Sequence, residues 1–167
     1  MNPTSIRDAT AADLPAVAAI YTHYVLRTTT TFNTEVRTPA EWISRFVEGQ
    51  DQPGHHFLVA VDNSNVVGFI ETRQFRAKQA YARSVELSVY VAPDTHGHGY
   101  GQALMDALIH RLTDDPDIHR LYAVIALPND LSVALHERAG FVHRGTLTEA
   151  GFKFGRYLDV AYYERAV

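Results

Sequence analysis

The sequence predicts an α+β fold in which helices cover both faces of a mixed β-sheet. A central stretch, residues 85–112, is typical of a strand, a glycine-rich turn and an amphipathic helix, because its apolar residues first alternate and then recur at helical spacing. Two further strands, residues 57–62 and 66–75, are separated by a tight turn and therefore predict a hairpin. A hairpin pairs its strands antiparallel, so the sheet is not all parallel. No repeat or linker divides the chain, and one domain over residues 1–167 is expected.

Local signals place the other elements. Thr38-Pro39-Ala40-Glu41 is a capping box with proline at the first helical position. The remaining predicted elements are a strand at 6–7, helices at 14–25, 39–46 and 131–139, and strands at 121–127, 141–147 and 156–165. The TTTTF segment at 28–32 is either extended backbone at the mouth of a pocket or a plain surface connection. The total is about seven strands and four helices, in three layers.

Composition excludes several classes of function. The net charge of −4 and the pI of about 6.1 disfavour a broad basic face, so no nucleic-acid partner is expected. The chain has no cysteine, which excludes disulfides, a thiol nucleophile and cysteine-based metal sites. It shows neither an apolar run long enough to span a bilayer nor the apolar core of a signal peptide. We therefore expect a soluble, cytoplasmic protein without a membrane partner.

The nine histidines do not form a recognisable set of metal ligands. His55-His56 is a loop pair, and His96-x-His98 lies in the glycine-rich turn. Neither pair has a third ligand at a spacing typical of zinc sites. No metal is expected.

The glycine-rich turn places Gly97, Gly99 and Gly101 directly before a helix. A helix start has unpaired N–H groups and a partial positive charge, and glycine lets an anion approach that backbone. A diphosphate is the usual occupant, although a turn of this kind by itself is equally consistent with a plain connection. Two common phosphate motifs do not fit, because no P-loop lysine is present and the third fingerprint glycine is replaced by Gln102.

The turn resembles the acetyl-CoA loop of the GNAT N-acetyltransferases, Arg/Gln-x-x-Gly-x-Gly/Ala, with His96 at the position where that family usually carries Arg or Gln. The predicted order of elements also resembles the GNAT fold. Within that family the chain is similar to the phosphinothricin and methionine sulfoximine acetyltransferases along almost its whole length. The stretches that carry this resemblance are IRDATAADLPAVAAIY, VELSVYV, AVIALPNDLSVALHERAGF and RGTLTEAGFKFGRYLDV.

The resemblance implies that acetyl-CoA is the co-substrate. Its diphosphate would bind the glycine-rich turn, its thioester carbonyl would accept hydrogen bonds from amides of the central strand, and its pantetheine arm would pass Asn129. The implied cofactor-binding residues are Val89, Tyr90, Val91, His96, Gly97, His98, Gly99, Tyr100, Gly101, Gln102 and Asn129.

The resemblance also implies two catalytic residues, Glu86 and His136. Transfer to an amine needs a neutral amine, so a base must remove a proton. Glu86 lies on the central strand where the family carries its general base, which acts directly or through a water. A solvated or ion-paired glutamate would be the ordinary interpretation of such a residue in isolation. His136 occupies the place where many GNAT enzymes carry a tyrosine that protonates the leaving thiolate, and a partly buried histidine with a structural role is an equal alternative.

The acceptor implied by the resemblance is amino-acid-like: phosphinothricin, methionine sulfoximine or methionine sulfone. Arg76, Lys78 and Arg83 precede Glu86 and could pair with a carboxylate or phosphinate. A solvated basic loop is an equal interpretation of these three residues. Phe32 matches an aromatic position at the family's substrate pocket.

Other functions remain open at this stage. A GNAT enzyme for another amino acid, a polyamine or a peptide N-terminus is the first alternative, and a non-catalytic acyl-CoA-binding domain is the second. The family commonly forms homodimers, and we expect one here. The aromatic residues that would supply either an interface or core are Phe152, Phe154, Tyr157, Tyr162 and Tyr163.

Overall fold

In the computed structural model, which describes residues 5–167, seven strands form one sheet. The strands are β1 (Ser5–Asp8), β2 (Phe57–Asp62), β3 (Asn65–Gln74), β4 (Ser84–Val91), β5 (Arg120–Ala126), β6 (Val142–Lys153) and β7 (Arg156–Ala166). The α-helices are α1 (Leu14–Arg27), α2 (Pro39–Gln50), α3 (Tyr100–Thr113) and α4 (Asp130–Arg138). These counts confirm the predicted fold class.

The sheet has the order β1-β2-β3-β4-β5-β7-β6. Every neighbouring pair is antiparallel except β4 and β5, which run parallel. The parallel pair follows from the connection between the two strands. The crossover through α3 returns the chain to the end of the sheet at which β4 begins, so β5 runs in the same direction as β4. The predicted mixed sheet is therefore confirmed.

Two apolar cores lie on opposite faces of the sheet, as the alternation of side chains along each strand requires. On one face, α1 and α2 cover an aromatic cluster that includes Tyr21, Trp42 and Phe69. On the other face, α3 and α4 pack on aliphatic residues such as Leu58 and Leu121. In β4 the even-numbered side chains, which include Glu86, share a face with the aromatic cluster.

Strands β4 and β5 pair over only three residues, Ser84–Glu86 against Arg120–Tyr122, and then diverge. The other edge of β4 stays paired with β3. The Phe75 N–H donates to the Ser84 carbonyl at 2.9 Å, and the Ala92 N–H donates to the Val67 carbonyl at 2.8 Å. Even-numbered residues of β4 therefore direct their backbone groups to β3, and odd-numbered residues direct theirs towards the opening beside β5.

The end of the chain differs from the prediction. The GFKFG segment was expected to separate two strands, but Gly151, Phe152 and Lys153 belong to β6 and pair with β7. Only Phe154 and Gly155 form the turn, both with positive φ (51° and 75°), the geometry of the tightest hairpins. The sequence pattern concealed this extension because β6 contains two irregularities that interrupt its alternation.

The hairpin also positions the loop at 28–33. The ammonium of Lys153 is buried and donates to the Thr31 carbonyl at 2.8 Å. The Phe32 ring fills the space where a side chain at position 151 would lie, which requires glycine there. Thr30 in this loop borders the opening between β4 and β5, which favours a loop at the mouth of a pocket over a plain surface connection, the two interpretations that the sequence left open. Among the described residues, no helix has the length and apolar character needed to cross a bilayer.

Candidate active site

The glycine-rich turn ends at the N-terminus of α3, whose N-cap is Gly99. Gly97 and Gly99 have φ values of 83° and 82°, a conformation that side chains disfavour. Apart from their chain neighbours, no described residue has an atom within 4 Å of where their Cβ atoms would be. The first intrahelical hydrogen bond joins the Ala103 N–H to the Gly99 carbonyl at 3.0 Å. The N–H groups of Gly101 and Gln102 therefore have no partner within the helix. The turn offers an open surface of backbone donors to an anion.

The exposed His96 side chain contacts α1 and the end of β4. Its Nε2 lies 3.0 Å from the Tyr24 hydroxyl and 3.3 Å from the Val91 carbonyl, and the Tyr24 hydroxyl itself donates to that carbonyl at 2.5 Å. Because the hydroxyl proton is used on Val91, Nε2 carries a proton and donates to the Tyr24 oxygen. His96 thus joins the start of the turn to α1, a contact that an arginine pointing at a diphosphate would not make.

The other side chains of the turn are also used within the protein. The His98 ring contacts backbone carbonyls of the turn through Nδ1 at 3.1 Å and stacks on Tyr100. The Tyr100 hydroxyl donates to Asp62 at 2.9 Å, which ties the start of α3 to β2. The Gln102 amide donates to Asp106 one helical turn later at 2.8 Å. An anion at this turn would therefore meet backbone rather than side-chain donors.

The opening between β4 and β5, which we call the β4–β5 cleft, encloses a cavity of about 40 Å³. It is lined by Thr30, Leu87, Ser88, Val89, Tyr90, Ala123, Val124, Ile125, Asn129, Ser132 and His136. By the alternation of β4, the N–H groups of Val89 and Val91 point towards this cleft. The Tyr90 backbone instead belongs to the pairing with β3, and its ring packs in the aromatic cluster. Of the three strand amides expected at the thioester, those of Val89 and Val91 point towards the cleft, and that of Tyr90 points towards β3.

His136 is 2% exposed and lies at the wall of the cleft on α4. Its Nδ1 lies 2.7 Å from the Ser132 carbonyl, which can only accept, so Nδ1 carries the proton. Its buried Nε2 then holds a lone pair and has no hydrogen-bond partner among the described residues. Burial lowers the pKa of His136, although the Ser132 carbonyl partly opposes this. The neutral ring can accept a hydrogen bond at Nε2 but cannot donate one.

Asn129 is the N-cap of α4, and its side-chain oxygen accepts from the Ser132 N–H at 3.2 Å. This cap holds the helix that carries His136 against the cleft. The cap uses one lone pair of the oxygen, so the amide NH2 group and the second lone pair of Asn129 are available to a ligand in the cleft.

Glu86 lies on the opposite face of β4 from the aliphatic core, with its side chain one-third exposed (33%). Burial raises the pKa of this carboxyl above its usual value, and the nearby Arg76 guanidinium opposes that shift. The Arg76 Nη1 lies 3.5 Å from Glu86 Oε2, while Nη2 donates to the Tyr162 hydroxyl at 3.3 Å. A carboxylate with a raised pKa in a partly enclosed position is suited to take a proton.

A second cavity of about 190 Å³, which we call the charged cavity, adjoins Glu86. It is lined by Arg45, Glu71, Arg73, Gln74, Glu86 and Ser88. Glu71 is 3% exposed and is held by Arg45 (2.8 Å), by Arg73 (2.6 Å) and by His55 (3.3 Å). The Nη1 groups of Arg45 and Arg73 have no hydrogen-bond partner among the described residues, so both arginines keep a free donor at a cavity that they line.

The sequence interpretation missed Arg45, Glu71 and Arg73. A signal was present, since Glu71 and Arg73 occupy alternate positions of a predicted strand and therefore share one face. The register places Arg73 opposite Glu86 and Glu71 opposite Ser88, which brings these side chains to the same face of the sheet. Arg45 comes from α2, and no local pattern could have paired it with β3.

The predicted basic residues are not gathered at one place. Arg76 lies beside Glu86, as described. The Arg83 guanidinium donates to the carbonyls of Pro116 (2.5 Å) and Asp117 (3.1 Å), and so braces the connection after α3. Lys78 is exposed and has no ionic contact among the described residues. The Phe32 ring packs against Gly151, as the fold requires.

Metal ligands are not clustered in the part of the chain that the structure describes, where no three His, Cys, Asp or Glu side chains form a possible metal site. The β4–β5 cleft presents amides and a histidine on one side of the central strand pair. The charged cavity presents the Glu86 carboxylate and two arginines next to it. Such an arrangement can hold a thioester and an amine against each other.

Comparison with known proteins agrees with this geometry. The acetyltransferase (GNAT) domain family matches residues 6–161. The chain is 43% identical over 162 residues to a phosphinothricin N-acetyltransferase of Streptomyces coelicolor, an alignment that covers 96% of this chain and 94% of that protein. It is 37% identical over 161 residues to an L-methionine sulfoximine/L-methionine sulfone acetyltransferase of Pseudomonas paraeruginosa, covering 95% and 91%.

A solved structure gives the same result for the fold. The chain superposes with a TM-score of 0.94 on a GNAT superfamily phosphinothricin acetyltransferase from Sinorhizobium meliloti in complex with acetyl-CoA, with 35% identity and coverage of 98% and 88%. The resemblance noted in the sequence is confirmed. This chain belongs to the GNAT acetyltransferases and is an acetyl-CoA-dependent N-acetyltransferase.

Proposed function

We propose that the acceptor is a small amino-acid-like amine, phosphinothricin, methionine sulfoximine or methionine sulfone, and that Glu86 is the general base. The single observation that carries the proposal is the charged cavity, which combines a base with free arginine donors next to the β4–β5 cleft. The acceptors named for the two relatives above support the same class of substrate.

The charges of the cavity match such an acceptor. Glu71 offsets one of the two charges of Arg45 and Arg73, so this wall retains a net positive charge for a carboxylate. Glu86 faces the ammonium that must lose a proton, and Arg76 supplies a further cation for the distal phosphinate or sulfoximine oxygen. In this proposal Arg45 and Arg73 take the role expected for Arg83, while exposed Lys78 can act only at the rim.

The reaction follows from the placement of these groups. Glu86 removes a proton from the acceptor ammonium, and the neutral amine attacks the thioester carbonyl in the β4–β5 cleft. The N–H groups of Val89 and Val91 donate to the oxygen as it gains charge. Because His136 holds a lone pair at Nε2, we propose that solvent rather than His136 protonates the leaving thiolate. His136 would then accept a hydrogen bond from the bound acetyl-CoA arm.

The cofactor arrangement is part of the same proposal. We place the diphosphate on the backbone from Gly97 to Gln102 and the pantetheine arm along Asn129, as the family resemblance implies. His96, His98 and Tyr100 would contribute through the shape of the turn, since their side chains make contacts within the protein.

We further propose a homodimer. Phe152, Phe154 and Tyr157 at the β6–β7 hairpin are 60%, 58% and 64% exposed, whereas Tyr163 is buried in the core. Three exposed aromatic rings at one end form an apolar patch of the kind that marks interfaces. Light scattering of the protein and of Tyr157→Ser tests this, with Leu131→Ser, on the exposed side of α4, as the control. A monomeric wild-type protein would contradict it.

An acceptor panel tests the function directly. Purified protein and acetyl-CoA are mixed with phosphinothricin, methionine sulfoximine, methionine sulfone, other amino acids, a polyamine and a peptide, and free thiol release is followed. We expect the highest kcat/KM with the first three acceptors, because a polyamine has no anion for the arginines and a peptide lacks a free α-carboxylate. Turnover with the polyamine or peptide alone would show that the acceptor proposal is wrong.

A further inference from the structure

Ser88 is the residue that connects the two cavities of the site. It lines both the β4–β5 cleft and the charged cavity, and no other residue among those that the structure describes lines both. Its side chain lies on the same face of β4 as Glu86, two positions further along the strand. An acceptor whose anionic end lies in the charged cavity must therefore pass Ser88 to reach a thioester in the cleft.

The Ser88 hydroxyl is not used by the protein itself. It has no hydrogen-bond partner among the described residues, although Glu71 lies opposite it in the register of β3 and β4. Glu71 is occupied by Arg45, Arg73 and His55, which accounts for both of its oxygens. The hydroxyl is therefore an available donor and acceptor at the junction of the cavities.

The spacing of Glu86 and Ser88 suits one small polar group between them. Residues two apart on a strand have Cα atoms about 7 Å apart, with parallel side chains. A hydrogen bond spans about 2.8 Å between heavy atoms, so an ammonium nitrogen between the carboxylate and the hydroxyl can contact both. The two groups then aim different N–H bonds of the amine in different directions.

We propose that Ser88 binds the acceptor amine together with Glu86 and directs it at the thioester. The ammonium donates one hydrogen bond to the Ser88 oxygen and gives another proton to Glu86. The lone pair that this leaves first points at Glu86, and rotation about the C–N bond of the amine turns it towards the cleft while Ser88 accepts one of the two remaining N–H groups. This inference rests on the proposed function, since it assigns a residue to the acceptor amine of that reaction.

Ser84 provides a matched control for this assignment. It lies on the same strand and the same face, two positions before Glu86, so Ser84 and Ser88 flank the base symmetrically. Ser84 does not line either cavity. Replacing either serine by alanine removes one hydroxyl from the same strand face, but only Ser88 is placed at the path of the amine.

The test compares the wild-type protein with Ser88→Ala, Ser88→Thr and Ser84→Ala, using the best amine from the panel. A hydrogen bond to a charged group corresponds to about a 10- to 100-fold effect. We expect Ser88→Ala to lower kcat/KM for the amine by that factor, with unchanged acetyl-CoA binding by calorimetry and an unchanged melting temperature. Ser88→Thr, which keeps the hydroxyl, should recover most of the activity, and Ser84→Ala should match the wild type.

The outcomes separate this inference from the proposed function. If the wild type acetylates an amine and Ser88→Ala does so equally well, the Ser88 assignment is wrong and the function stands. If Ser88→Ala and Ser84→Ala lose activity to the same extent, the effect is a general one on the strand, and the assignment is also wrong. If the wild type acetylates no amine, the proposed function and the role of Ser88 both fail.

Discussion

At the residue scale, two opposing effects, burial and the charge of Arg76, set the proton affinity of Glu86. Burial raises its pKa, and the positive charge of Arg76 limits the rise. A base must be deprotonated to act, so activity falls as the pH drops through its pKa. With the pKa raised, the acid limb of the kcat/KM profile should lie at a higher pH than an ordinary glutamate would give.

Glu86→Gln tests the base itself. The variant keeps the shape and a hydrogen-bonding group but cannot take the proton, so kcat should fall by about 10²–10⁴-fold. Binding of acetyl-CoA should change little, and activity should recover partly at high pH, where the free amine is abundant. Steady-state kinetics across pH provide the measurement. A wild-type kcat near neutral pH would show that the proton leaves by another route.

Arg76→Gln tests the electrostatic partner. Removal of the cation takes away the effect that opposes burial, so the pKa of Glu86 should rise and the acid limb of kcat/KM should move to higher pH. Arg83→Gln is the comparison, because the Arg83 guanidinium contacts the carbonyls of Pro116 and Asp117 rather than Glu86. An acid limb that stays in place in Arg76→Gln, or that moves equally in both variants, would contradict this account.

At the scale of the elements, the turn before α3 depends on backbone conformation more than on side chains. Gly97 and Gly99 adopt positive φ, and the space around both is open. The glycines are therefore required by the backbone conformation and not by crowding within the protein, and the space beside them is open to a ligand. The side chains at this turn have a different role: His96 connects it to α1, and Tyr100 connects it to β2.

Gly99→Ala and Gly155→Ala separate these two requirements. Both glycines have positive φ (82° and 75°) and no neighbour within 4 Å of an added Cβ, so both variants should lose about 1–2 kcal/mol of stability through backbone strain. Only Gly99→Ala should also raise the KM for acetyl-CoA, by about tenfold, the equivalent of one hydrogen bond to a charged group. Thermal melts and kinetics measure the two effects. Equal KM values for acetyl-CoA in both variants would show that the diphosphate does not bind at this turn.

At the scale of the whole molecule, Glu71 joins parts of the chain that are distant in sequence. Its carboxylate on β3 is held by Arg45 from α2, by His55 from the segment before β2, and by Arg73. Burial raises the pKa of Glu71, but His55 and the two arginines outweigh it and hold the pKa below its usual value. This network fixes α2 on the sheet and shapes the wall of the charged cavity.

Glu71→Gln should destabilise the protein by about 3–5 kcal/mol, because it removes a buried carboxylate and leaves two partly buried arginines without their counter-charge. A depressed pKa contributes stability that is present above the unfolded-state value and is lost as the pH falls through the native value. The difference between variant and wild type should therefore shrink in acid. Denaturant unfolding across pH is the measurement.

Glu164→Gln is the control for that comparison, since Arg144, its partner, is 56% exposed and such pairs contribute about 0–1 kcal/mol. Equal losses in the two variants would show that Glu71 has no special role in the stability of the fold.

The sequence predicted most elements because their signals are local. The capping box at Thr38, the alternation of β4 and the glycines before α3 each depend on neighbours within one or two turns. The extension of β6 through Lys153 was not predicted, since its pairing with β7 is interrupted by irregularities that have no composition signal. The same limit applies to Arg45, which reaches Glu71 only after α2 packs on the sheet.

The sequence by itself determined the family, the glycine-rich turn and the position of Glu86 on the central strand, because each is encoded in contiguous residues. Only the tertiary structure decided which charged side chains meet. It placed Arg73 opposite Glu86, sent Arg83 to the connection after α3 and brought Ser88 to the border of two cavities. The physical reason is that strand register and helix packing, which are set by the whole core, bring distant residues to one face of the sheet.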